Sequence, residues 1–239
     1  MSLIRIIFLR VSFLISLILS GCASTSPNTN PKDPYEGFNR SMYQFNDTLD
    51  RAVLKPVAQG YRAVMPDPGQ KMVHNFFSNI DDIFVTGNDL LQLKFHQAAS
   101  DFTRVWVNTI FGVFGLFDVA HKLEKHNEDF GQTLGYWGVS SGPYLVLPFL
   151  GPSSVRDGAG LATDSYFGVI ENLDDIPVRN SLWVTNKVNL RAELLDSEKI
   201  IEGTVVDRYS FIRDAYMMHR QSLVYDGDPP RVKYDDEDE

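Results

Sequence analysis

Phe38, Met42, Phe45, Leu49 and Val53 recur at helical spacing, while Asn39, Arg40, Asn46, Asp47 and Asp50 occupy the other side of the same stretch. Apolar residues every three to four positions mark one face of a helix, so this segment predicts an amphipathic helix ending near Pro56. Asp33-Pro34 stands just ahead of it, an aspartate placed to cap the helix with proline at the first position. Shorter helical stretches follow over roughly 57–64, 69–80 and 82–95, punctuated by Pro66, Pro68 and Gly87. A more apolar helix is predicted over 98–112, continuing through Phe114, Leu116 and Phe117. Val105 to Phe117 carries no charge, yet it is shorter than the ~20 residues a spanning helix needs. Downstream, 181–195 and 206–223 read as helices, the second with Tyr209, Ile212 and Tyr216 on one stripe with Val205. Few segments alternate as strands do, and there is no internal repeat. The pattern predicts a mostly α protein.

Two segments break the helical rhythm. Phe111-Gly112-Val113-Phe114-Gly115-Leu116-Phe117 alternates large apolar residues with glycine and suits either a buried core or contact with lipid. The stretch 131–155 is also uncharged, and its five glycines and three prolines exclude one regular helix. Irregular backbone at membrane depth is tolerated only where protein shields it or a wet cavity borders it, so such a hairpin in a bilayer would have to line something.

The N-terminus supplies a reason to consider a membrane. Arg5 and Arg10 flank an apolar run from Val11 to Leu19, followed by Ser20, Gly21 and Cys22, the chain's one cysteine. Small residues before a cysteine at the end of a secretory leader form a lipobox. This predicts a signal peptide over 1–21, with diacylglyceryl and N-acyl groups on Cys22. Three acyl chains would hold the protein permanently, since a single chain is marginal. Residues 22–32, rich in Ser, Thr, Asn and Pro, read as a flexible tether. One helical domain is expected over 33–225, with an acidic disordered tail over 226–239.

Charge narrows the partners. The chain has 22 basic and 31 acidic residues, and loss of the leader removes two arginines and no acid, taking the net charge from −9 to about −11. Nucleic-acid binding needs a basic stripe, and electrostatic docking on anionic lipid needs clustered Lys and Arg. Both are disfavoured. With Cys22 lipidated, no thiol remains for a disulfide.

Candidate chemistry is sparse. Gly138-Val139-Ser140-Ser141-Gly142 matches G-x-S-x-G, but a nucleophile elbow needs a strand before the serine and a helix after it. Here the flanks are Gly-rich and Pro143 follows at once, and the one downstream histidine is His219. His121, Glu124, His126, Glu128 and Asp129 form a polar cluster whose spacing fits no zinc signature and reads as a solvated loop or helix end. No phosphate-binding loop, dinucleotide fingerprint or cysteine cluster is present, so no catalytic residues, metal or soluble cofactor are expected.

Several spaced motifs join into one resemblance. They begin with Asp33-Pro34-Tyr35-Glu36-Gly37-Phe38-Asn39-Arg40, Lys55-Pro56-Val57-Ala58 with Tyr61-Arg62, and Asn75-Phe76-Phe77 before Asn79. Next come Asn88-Asp89-Leu90-Leu91-Gln92, Arg104 with Asn108-Thr109, and Gly115-Leu116-Phe117-Asp118-Val119-Ala120. The most specific is Glu128-Asp129-Phe130-Gly131-Gln132-Thr133-Leu134-Gly135, leading to Gly142-Pro143-Tyr144, Leu147-Pro148, Gly151-Pro152 and Arg156-Asp157. In this order, behind a lipobox, the chain resembles the MlaA/VacJ family of outer-membrane lipoproteins. The resemblance implies a ring of amphipathic helices in one leaflet, around a central channel and beside trimeric porins. Such a protein would extract phospholipid strayed into the outer leaflet of the outer membrane and pass it to a soluble periplasmic carrier, without covalent chemistry. By the same resemblance 130–156 corresponds to a channel-lining, gating loop. Phe130 and Gly131 stand at its start, Gly142 and Pro143 at its bend, and Tyr144 and Leu147 on its wall; Phe38, Met42 and Phe45 would face lipid or core. Ala23 after the lipidated cysteine resembles the outer-membrane sorting pattern. The competing expectation is a lipoprotein adaptor that scaffolds a porin or envelope complex and moves nothing. A phospholipase acting through Ser140 is a third.

Overall fold

The structure is a computed structural model that describes residues 30–202 and 205–230. Cys22, the leader, most of the tether and the end of the acidic tail lie outside the described residues. The elements, in order, are α1 (Glu36–Leu49), a π-helical turn (Asp50–Leu54), α2 (Lys55–Val64), α3 (Asp67–Leu91), α4 (Phe95–Ile110), α5 (Phe130–Tyr136), β1 (Tyr144–Leu147), β2 (Gly151–Ser154), α6 (Val155–Phe167), α7 (Ile176–Glu193), α8 (Leu195–Glu202) and α9 (Arg208–Val224). The fold is mostly helical. No helix among the described residues is long and apolar enough to cross a membrane.

The first expected helix does not stop at Pro56. It runs into α2 through the π turn, where the Lys55 N–H donates to the Asp50 carbonyl, five residues back. Proline has no N–H and its ring crowds the preceding turn, and the wider π turn takes up both defects. Nor does Asp33 cap the helix: α1 begins at Glu36 without a side-chain cap. The Asp33 carboxylate is fully buried and accepts from Asn39 Nδ2 at 2.8 Å, Tyr209 OH at 2.6 Å and Arg213 Nη1 at 3.2 Å. The two stretches expected over 69–80 and 82–95 are one 25-residue helix, α3, with Gly87 in its exposed interior.

α3 and α4 form an antiparallel pair whose shared seam is polar. Asn79, Asp82, Asn88 and Asp89 from α3 meet Asp101, Arg104 and Asn108 from α4, all buried. Their apolar neighbours Ile83, Leu90, Phe102, Trp106 and Ile110 are exposed. The loop after α4 is fixed from inside: Arg104 Nη1 donates to the Ala120 and Leu123 carbonyls, and Asn108 accepts the Ala120 N–H at 2.9 Å. At its tip Val113 and Phe114 hold φ of 53° and 58°. Each costs ~1–3 kcal/mol, which the surrounding contacts must offset. Phe111, Val113, Phe114 and Phe117 point outward, so this Gly/Phe segment is not core.

The stretch 131–155 resolves into α5, a loop and an antiparallel β-hairpin with Tyr144 opposite Ser154 and Leu147 opposite Gly151. The hairpin reverses at Pro148–Leu150, with Phe149 at φ 64° and Gly151 at φ 85°. Gly142 and Pro143 therefore lie at its base rather than at its bend, Gly142 supplying a left-handed φ of 67°. Two asparagines, two turns apart on one face of α1, dock the hairpin. Asn39 donates to the Tyr144 carbonyl at 3.0 Å and accepts the Val146 N–H at 2.9 Å. Asn46 donates to the Leu147 carbonyl at 2.9 Å and accepts the Phe149 N–H at 2.8 Å. Each amide thus replaces the backbone of an absent neighbouring strand.

Apolar cores are small. Tyr144, Val146 and Tyr209 pack with Met42, Tyr43, Tyr216 and Met217; Ala58, Ala192 and Leu195 pack with Tyr61. Among the described residues, 20 buried side chains are polar or charged against 13 hydrophobic ones, and 40 large hydrophobics are exposed. Monomeric proteins in water rarely show such apolar surface. The polar faces of these helices point inward and much of the apolar surface points outward.

Candidate functional site

An open cavity of about 500 Å³ lies where α3, α7, the end of α6 and the chain before α5 meet. One wall is α3, contributing His74, Phe77, Ile80, Asp81 and Phe84; α7 provides Asn186, Lys187 and Leu190. The end of α6 and the chain beyond it add Leu161, Asp164 and Gly168 to Glu171, and residues Lys125 and Asn127 to Asp129 close the remaining side. The lining is mixed, with aromatic and aliphatic patches beside carboxylates and amines.

Several of the lining charges are already engaged. Lys125 pairs with the buried Asp82, and His74 Nδ1 lies 2.9 Å from Glu193. Glu128 accepts from Lys94 Nζ at 2.8 Å and from Gln92 at 2.7 Å. Asp129 caps α5 through the Gln132 N–H and accepts both guanidinium nitrogens of Arg220, at 2.5 and 2.9 Å. Although burial opposes its charge, those bonds hold the Asp129 carboxyl below the usual carboxylate range. Among the described residues Asp164 accepts only the Phe130 N–H, at 3.2 Å, and burial pushes its pKa up to about 6. Crowding by the cavity wall raises Asp81 as well, although this residue keeps its access to solvent, with Lys125 acting against the rise and the Asp82 and Asp129 charges with it.

Behind this wall a buried network ties α5, α6 and α9 together. Arg220 also donates to Asp157 at 2.9 Å, and Asp157 accepts from Arg156 at 2.8 Å and from Tyr216 OH at 2.8 Å. The crossing of α5 and α6 requires glycine on both sides. A Cβ on Gly160 would stand 2.4 Å from the Gly131 nitrogen, and one on Gly131 would press on Arg220 and Asp157.

The residues expected from sequence fall in several places. Gly131 serves close helix packing, and Phe130 starts α5 with its N–H on Asp164. Tyr144 is buried against Tyr209 and Tyr216, while Leu147 is half-buried with its carbonyl on Asn46. Phe38 and Phe45 are exposed at 43% and 44%, but Met42 packs inward on the Tyr144 cluster. The cavity lining includes none of Phe130, Gly131, Gly142, Pro143, Tyr144 and Leu147. Ser140 sits in a loop preceded by helix α5 and followed by strand β1, the reverse of a nucleophile elbow. The 121–129 cluster is a loop that is solvated only in part: His121 and Glu124 are exposed, but Glu128 is buried and His126 Nδ1 lies 2.6 Å from the fully buried Asp101. The cavity residues overlooked in the sequence are Asp81, Asp164, Lys187 and Glu171. His74 and Asp81, seven apart on α3, share a helix face, which sequence spacing could have shown; their meeting with 164–187 is long-range.

The MlaA lipoprotein family profile matches residues 31–223. The chain belongs to the MlaA lipoprotein family. It is similar to the intermembrane phospholipid transport system lipoprotein MlaA of Escherichia coli (strain K12), 36% identical over 231 residues spanning 92% of this chain and 90% of that one. The protein of the same name from Haemophilus influenzae is 31% identical over 225 residues, 90% of each chain. A solved chain from work on the structural basis for maintenance of bacterial outer membrane lipid asymmetry superposes with a TM-score of 0.71 at 34% identity, covering 80% of this chain and 98% of that one. Within this MlaA fold, Asp33, Asn39, Arg104, Asn108, Asp129 and Asp157 hold the inverted interior together through hydrogen bonds.

Proposed function

We propose that this chain is an outer-membrane phospholipid transporter. It takes mislocalised phospholipid from the outer leaflet, lets the headgroup cross through its polar interior, and releases the lipid to a soluble periplasmic carrier. Acyl chains on Cys22 anchor it on the periplasmic side, and trimeric porin is its neighbour in the membrane. The observation that carries this reading is the inversion of the fold, with polar and charged side chains buried, apolar side chains on the outside, and an open cavity that carboxylates and apolar groups line together. No helix among the described residues is both long and apolar enough to span, and their outward apolar faces suit one leaflet. A headgroup crossing hydrocarbon alone loses its hydration, at a cost of several kcal/mol; a polar interior replaces much of that hydration. The names of the relatives from Escherichia coli and Haemophilus influenzae point the same way.

The test is surface-exposed phospholipid in cells lacking this protein. Deletion should raise it, and the full chain supplied in trans should restore it. An unchanged outer leaflet would refute clearance and leave the scaffolding role.

A further inference from the structure

The transport reading leaves open which headgroup the cavity accepts, and the charges on its wall bear on that choice. Five lining residues are acidic: Asp81, Glu128, Asp129, Asp164 and Glu171. Glu128 is neutralised by Lys94 and Asp129 by Arg220, while the cavity's own Lys125 is committed to Asp82. Among the described residues Asp81 and Glu171 have no hydrogen bond or ion pair, and Asp164 has only a backbone N–H. Against these three stands Lys187, whose ammonium lies 5.6 Å from the Trp183 ring centre.

The unengaged charge in the cavity is therefore negative. Asp81, Asp129 and Asp164 act on one another as like charges, with Lys125 opposing that effect at Asp81 and Arg220 at Asp164. They do not form a metal site, since no group of three His, Cys, Asp or Glu side chains among the described residues is arranged to hold an ion. Such a wall suits a diffuse monovalent cation, and at about 500 Å³ the cavity falls within the range of small-molecule sites. Every phospholipid headgroup brings an anionic phosphate. A headgroup that brings nothing else would face repulsion from Asp81, Asp164 and Glu171. One that also carries an ammonium can place it among these carboxylates and turn its phosphate toward Lys187.

We infer that the cavity selects zwitterionic phospholipids with a cationic amine in the headgroup, and disfavours anionic ones, through the carboxylates of Asp81, Asp164 and Glu171. This rests on the transport reading. It adds a preference that a neutral conduit would lack.

The experiment uses the purified, lipidated full chain in detergent, equilibrated with micelles containing equal phosphatidylethanolamine and phosphatidylglycerol, and measures retained lipid by mass spectrometry. Wild-type protein should retain the ethanolamine lipid roughly tenfold over the glycerol lipid, equivalent to ~1.4 kcal/mol. Asp81→Asn with Asp164→Asn should bring the ratio within about twofold of parity while total bound lipid is kept, as expected for a Coulombic preference. Glu171→Gln, at an exposed position, should lower the ratio in the same direction, and Asp81→Asn alone serves if the double variant does not fold. Parity or a glycerol preference in the wild type overturns the selectivity and leaves transport standing. An unchanged ratio in the variants overturns the assignment to these carboxylates. Retention of neither lipid overturns the transport reading itself.

Discussion

The hairpin dock and the α3–α4 seam are both polar and buried, yet they differ in how well their groups are satisfied. At the dock, Asn39 and Asn46 use both amide oxygen and nitrogen on the backbone of the hairpin, and both carboxylate oxygens of Asp33 are bonded. In the seam, Asp89 is fully buried with neither carboxylate oxygen bonded, and Asn79 Oδ1 is unbonded as well. A satisfied buried amide adds rigidity at modest net gain, whereas an unpaired carboxylate opposes folding. The dock therefore acts as a lock that defines the structure. The seam holds charge that stability alone would not select.

The sharpest way to break the contrast is Asn39→Ala. It removes bonds to Asp33, to the Tyr144 carbonyl and from the Val146 N–H, and should cost roughly 3 kcal/mol in chemical denaturation. Loss under 1 kcal/mol would mean that the dock is not a lock.

Asp89→Asn should act in the opposite direction and depend on pH. Burial, reinforced by Asp101 and Glu128 and opposed by His126 and Lys94, pushes the Asp89 pKa up to about 7 from an ordinary 3.8. The folded state then holds a proton that the unfolded chain has released between these values, so native stability falls as pH rises from about 4 to about 7. The asparagine variant should flatten that slope and gain roughly 2 kcal/mol at pH 8, with no gain at pH 4. Melting temperatures across this range measure it; parallel curves for the two proteins would remove Asp89 from the account.

Asn46→Ala is the mildest. It frees the Leu147 carbonyl and the Phe149 N–H at the hairpin tip, for roughly 1 kcal/mol. Amide exchange should accelerate at Phe149 and leave Val146 protected. Equal acceleration at both would show that the hairpin is held as one unit.

The contrast also explains what the sequence could reveal. Periodicity located most helices, because polar and apolar faces alternate whichever of them is buried. It could not say which face turned inward, and the reading of Met42, Phe38 and Phe45 as one face hid the difference between an inward methionine and two outward phenylalanines. Asp33 fitted the cap pattern locally, but its partners Tyr209 and Arg213 lie far along the chain. The glycines and prolines of 131–155 correctly excluded a single helix. They did not disclose a hairpin whose outer strand pairs with side-chain amides. The carboxylates at the cavity escaped notice because Asp81 and Asp164 belong to no local motif and meet only through the packing of α3 against its neighbours.

The π turn at Asp50–Leu54 has a consequence for helical phase. In a regular α-helix each residue advances about 100°, so Val57, twelve positions after Phe45, would emerge about 120° away from it. The wider turn advances each of its residues by less and returns much of that angle. Phe45, Val57 and Val64 are all exposed, at 44%, 49% and 85%. The turn is an angular splice: it carries one outward stripe past Pro56 along a single unbroken rod, and deleting one residue within it would twist α2 relative to α1.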